Sequence, residues 1–183
     1  MPMHTSMPTA TANPITLCPL ITQDVVRHPA PDGVPAPKAR ARLAYSFTVP
    51  GDPRSAAVAR HTVRSALYGH DLAVFVDPAL QVITELVTCG ALFAPGQDLY
   101  YSLRWREGIL RLVNWDPHSS HANPVHAAHC TSGRKRLLLL LACVVRECGG
   151  TWGITDPTPT TEGTKVWADL PETGAKTYGK RHC

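Results

Sequence analysis

The sequence predicts an α/β domain, a two-layer sandwich in which helices cover one mixed sheet of about five strands and three helices in all. Three observations predict it. Residues 98–116 alternate apolar and polar side chains on either side of Glu107-Gly108, as a tight β-hairpin does. Residues 56–67 and 80–93 repeat their apolar side chains at three- and four-residue steps, as helices do. The hairpin sits between helical stretches, so the sheet cannot be all parallel.

Taken in order, Leu43 to Val49 alternates like a half-buried strand and is broken by Pro50-Gly-Asp-Pro53. Asp52 is placed to cap the next helix, with Ala56, Ala59, Val63, Ala66 and Leu67 on its inner face and Arg54, Arg60 and Arg64 on its wet face. A second helix is expected from Asp77 or Pro78 to Phe93, with Asp77 as cap and Pro95-Gly96 as stop. After the hairpin, Pro117 to Ser132 is short of large apolar residues and reads as a long loop. Arg134 to Glu147 is apolar almost all round, which predicts a buried helix ended by Gly149-Gly150. Strands at Thr151–Thr155 and Thr164–Leu170 complete the order, separated by a turn-rich segment from Pro157 to Gly163.

This domain occupies residues 42–171. Before it, residues 1–41 read as a disordered proline-rich arm, because eight of the 17 prolines fall there with almost no apolar periodicity. After it, residues 172–183 form a polar tail expected to fray. No stretch has the layout of a signal peptide, and the longest apolar run, Leu137 to Val145, is too short to span a bilayer, so the expected location is cytoplasmic. The six cysteines lack paired spacing and are expected as free thiols. A net charge of +4 with scattered arginines argues against nucleic-acid binding.

Three segments carry the candidate chemistry: Ile83-Thr-Glu-Leu-Val-Thr-Cys-Gly-Ala91, Val113-Asn-Trp-Asp-Pro117 and Gly163-Thr-Lys-Val-Trp-Ala-Asp-Leu170. In this order they resemble the histidine-kinase-like ATPases of the bacterial anti-sigma-factor serine kinase family, across residues 43–171. The resemblance implies the Bergerat-type ATPase fold, ATP and Mg²⁺ as cofactors, and serine/threonine kinase activity. It implies a sigma factor or an anti-sigma-factor antagonist as partner, transcription control by partner switching, no membrane or direct nucleic-acid contact, and compatibility with a homodimer.

Residue by residue, Glu85 matches the family's catalytic base, and Cys89, one helical turn on, stands where the family's asparagine holds magnesium. A neutral thiol is a poor ligand for that hard ion. Asp116 matches the aspartate that accepts from the adenine amino group. Gly133, Arg134 and Lys135 stand where a second glycine motif, at the start of the last helix, cradles phosphate. Lys135 occupies a glycine position, where it either attracts phosphate by charge or fills its space.

Two alternatives stay open. One is a catalytically inactive binding module on the same fold. The other is a zinc protein built on His118, His121, His126, His129 and Cys130, whose close spacing is raw material for a metal site. Trp105, Trp115, Trp152 and Trp167 read as core or strand packing.

Overall fold

A computed structural model describes residues 42–119, 121–155 and 162–180. The arm at 1–41, most of the turn before Gly163 and the last three residues lie outside these. The described residues form the expected two-layer α/β sandwich: five strands in the order β1-β2-β3-β5-β4, with the helices on one face.

β1 (Leu43–Pro50), β2 (Asp98–Arg106) and β3 (Ile109–Asp116) pair in register, with Tyr101 opposite Asn114 and Leu103 opposite Leu112. The β2–β3 turn is the expected tight hairpin: Glu107 and Gly108 both take positive φ, 53° and 81°, as a two-residue primed turn requires. β5 (Thr164–Pro171) lies against β3, and β4 (Thr151–Thr155) forms the far edge. Every pairing is antiparallel, where a mixed sheet was expected. β3 and β4 share a direction, but β5 runs between them, so no parallel neighbours form.

α1 (Ser55–Gly69) and α2 (Val76–Phe93), joined by a 3-10 turn at Ala73–Phe75, follow the predicted apolar periodicity. Asp52 does not cap α1. Its carboxylate instead accepts from the backbone N–H of Arg54, the residue before the helix, and pairs with the Arg54 side chain. Asp77 likewise falls in the first turn of α2 and not at its cap. Ala73–Phe93 is long and apolar enough to cross a membrane, a stretch longer than the run singled out from the sequence. Val82, Ile83, Leu86 and Val87 are nevertheless buried against the sheet, each contributing roughly 1.5–3 kcal/mol of burial.

Two predictions fail after β3. The expected loop at 117–132 contains half a helix, because α3 runs from Pro124 to Leu137. Its start was written in the sequence: Asn123 caps it through a side-chain oxygen 2.8 Å from the Val125 N–H, and Pro124 takes the first turn. The single buried helix expected at 134–147 is the end of α3 plus a separate α4 (Leu139–Glu147). Of its leucine run, Leu138 and Leu141 are buried, whereas Leu137, Leu139 and Leu140 are exposed.

The tail also departs from expectation. Glu172–Ala175 forms a short helix, α5, with Ala175 buried and Gly174 so close to the Cys148 backbone that no side chain fits. Gly179 then donates its N–H to Glu147 at 3.0 Å. Trp105 and Trp152 pack against the core as expected. Trp115 and Trp167 lie on the open face of the sheet, Trp115 over Gly163 (φ +83°) and Trp167 over Gly153, where a Cβ would collide with each indole.

Candidate functional site

The inner face of β3 changes character along its length. Leu110 and Leu112 are apolar, then Asn114 and Asp116 continue the same alternation and are equally buried. Two buried polar side chains at a strand end need partners, since an unpaired one costs roughly 1–3 kcal/mol. Arg134 supplies most of that pairing from α3. Its Nη1 and Nη2 donate to the two Asp116 carboxylate oxygens at 2.7 and 2.8 Å. The pair is almost wholly out of solvent, at 2% exposure for Arg134 and 0% for Asp116.

The same carboxylate accepts twice more, from the His118 backbone N–H at 3.2 Å and from the Asn114 amide at 3.4 Å. Phe93, at the end of α2, lies against the guanidinium with its ring centroid 3.9 Å from the Arg134 carbon, a close cation–π contact. Asp116 therefore uses its acceptor capacity within the protein.

α2 brings the other candidates alongside. Cys89 is 2% exposed, as a small buried hydrophobe should be, and burial pushes its thiol up to about 11 despite the nearby Arg134 charge. Glu85 sits one turn earlier, half-buried, and desolvation raises its carboxyl above the usual range. Its charge and that of Asp116 both reach Cys89. Opposite them, burial raises the Tyr101 hydroxyl, with the Asp116 charge adding to it. The Tyr101 hydroxyl and the Asn114 side-chain oxygen are buried without a hydrogen-bond partner among the described residues. Gly90 makes room for both, since a Cβ there would lie 3.3 Å from Tyr101 Oη and from Asn114 Nδ2.

Of the residues singled out from the sequence, Glu85, Cys89, Asp116 and Arg134 thus come together. Gly133 and Lys135 do not join them as a phosphate cradle. Both lie in the body of α3, nine or more residues past its start, so they are not at a helix N-terminus with free N–H groups, and Lys135 is exposed. The donor set does not fit a magnesium nucleotide as the resembled family holds it. The Cys89 thiol stays neutral, and the Asp116 oxygens, to which the resemblance assigns adenine, are already bonded within the protein. Tyr101, Asn114 and Phe93 were not singled out, although the alternation of β3 pointed to Asn114.

Compared with models of known protein families and with curated proteins, the chain matches none.

Proposed function

We propose that this chain is a regulatory binding module of the anti-sigma type that works by holding a protein partner and not by transferring phosphate. One observation carries the reading: the Asp116 carboxylate, where the resembled family reads adenine, is saturated by a buried two-pronged bond to Arg134 beneath Phe93.

A surface suited to a protein partner lies elsewhere on the domain. Leu137, Leu139 and Leu140 are exposed at the α3–α4 junction, at 44%, 64% and 51%. Leu139 also lines a groove of about 540 Å³ between α4 and β4, together with Ala142, Cys143, Arg146, Gly150 and Trp152. Clustered exposed leucines beside a sheet edge support partner docking. On this reading the partner is a sigma factor or its antagonist and the protein works in the cytoplasm. The free thiols among the described cysteines are in keeping with that.

Thermal melting with magnesium and millimolar ATP tests the proposal. A nucleotide held at micromolar affinity would add roughly 4 kcal/mol of stability, so an unchanged Tm is expected. A rise in Tm that disappears in Asp116→Asn would overturn it. Glu85 favours a second reading, an active ATP-dependent serine kinase, because a half-buried carboxylate with a raised pKa is suited to proton transfer. Steady turnover lost in Glu85→Ala would establish that reading instead.

A further inference from the structure

We propose that His118, His121 and Cys130 form a zinc site that clasps the segment after β3 onto α3. The inference is independent of the partner-binding reading. The three ligand atoms lie within 4.8 Å of one another, and all three residues are partly buried. They come from two parts of the chain: His118 and His121 follow β3, and Cys130 projects from the second turn of α3.

The hydrogen bonds arrange these atoms as a metal would need them. His118 Nδ1 lies 3.1 Å from the Phe93 carbonyl oxygen. A carbonyl only accepts, so Nδ1 carries the proton and Nε2 presents its lone pair. An outer partner of this kind is what fixes the tautomer of metal-binding histidines. That Nε2 faces His121 Nε2 at 3.2 Å, and His121 Nε2 lies 2.9 Å from Cys130 Sγ. Two histidine nitrogens on one tetrahedral zinc are about 3.3 Å apart, and a nitrogen and a sulfur about 3.5 Å. The first separation already matches, and the second needs the thiol to back away by roughly half an ångström. Edge-on packing against Phe93, with ring centroids 5.4 Å apart, holds the His118 ring from the other side.

Three protein ligands leave a fourth position. Water takes it, or His126, which sits one helical turn before Cys130 with its ring edge-on to His121 at 6.3 Å between centroids. His129 is exposed and outside the converging set. Binding converts the Cys130 thiol to a thiolate and releases one proton to solvent. The clasp adjoins the Asp116–Arg134 pair directly, because the His118 backbone N–H donates to Asp116. A bound ion therefore pins the segment that packs the buried pair.

Cobalt(II), which reports its ligands by absorption, is the probe, titrated into the full-length protein after chelator treatment. One ion per chain is expected, with tetrahedral visible bands, a near-ultraviolet thiolate charge-transfer band, and displacement of all of these by zinc. Cys130→Ser should abolish the charge-transfer band, and His121→Ala should weaken affinity by at least about 10–100-fold, the loss typical of removing even an outer partner of a metal ligand. Cys143→Ser and the double variant Cys18→Ser with Cys183→Ser should keep the bands, which separates this site from the other thiols. Absence of stoichiometric bands in the parent overturns the proposal. So does a charge-transfer band that survives Cys130→Ser, or an affinity unchanged in His121→Ala, each read in a variant whose melting without metal matches the parent.

Discussion

Two arginine–aspartate pairs in this domain have nearly the same chemistry and opposite surroundings. Arg134 grips Asp116 with two nitrogens and lies on Phe93. Arg111 grips Asp169 with two nitrogens, at 2.6 Å each, and lies over Trp167 with 5.1 Å to the centroid. The second pair crosses from β3 to β5 on the open face of the sheet, where Arg111 is 51% exposed. Geometry alone would rank the Arg111 pair as the stronger, since its bonds are shorter. Burial reverses the order of consequence. Water can replace either partner of the outer pair, but nothing is at hand to replace Arg134, whose loss strands a carboxylate in the core.

The largest effect expected is therefore that of Arg134→Met. It should cost about 3–5 kcal/mol, the range for breaking a buried pair on one side, read from urea unfolding midpoints. Adding Asp116→Asn should restore part of this, because the neutral amide no longer demands a cation and still offers an oxygen to the His118 N–H. If Arg134→Met alone costs less than about 1 kcal/mol, the pair is wet in solution and the contrast with Arg111 collapses.

Arg111→Ala should cost only about 0.2–1 kcal/mol, and that cost should shrink as salt is raised. A loss as large as that of Arg134→Met would mean that the open sheet face is covered in solution, which would itself locate an interface.

The smallest effect concerns thiols, and it sharpens the contrast between buried and exposed groups. Cys89 and Cys148 are both raised from the ordinary 9 to about 11 by burial, whereas Cys143 is exposed on α4. Mass-spectrometric mapping of alkylation at pH 9 should find Cys143 labelled and the two buried thiols spared. The linkage has a definite sign. An unfolded thiol ionises from about pH 9 and a native one only near 11, so this contribution to stability is intact below pH 9 and declines as pH rises through 11. Rapid labelling of Cys89 at pH 9 would show that the α2–α3 contact opens readily.

The sequence by itself determined most of the scaffold. Strand and hairpin bounds followed from two-residue alternation and from Glu107-Gly108, and α1 and α2 from their apolar repeats, because these patterns are local consequences of backbone period. It also brought forward Glu85, Cys89, Asp116 and Arg134, which do meet in space. It led astray where a polar composition masked a helix: α3 exposes most of its length, so it lacks an apolar stripe, and only Asn123-Pro124 marked its start. Tertiary structure alone decided what those residues do to one another. Whether Asp116 faces a ligand or an arginine depends on how α3 crosses the end of β3, and whether His118, His121 and Cys130 converge depends on the same crossing. Contacts between residues far apart in the chain, such as Asp116 with Arg134 18 residues on, are set by packing against α2, through Phe93, and no local pattern of residues encodes them.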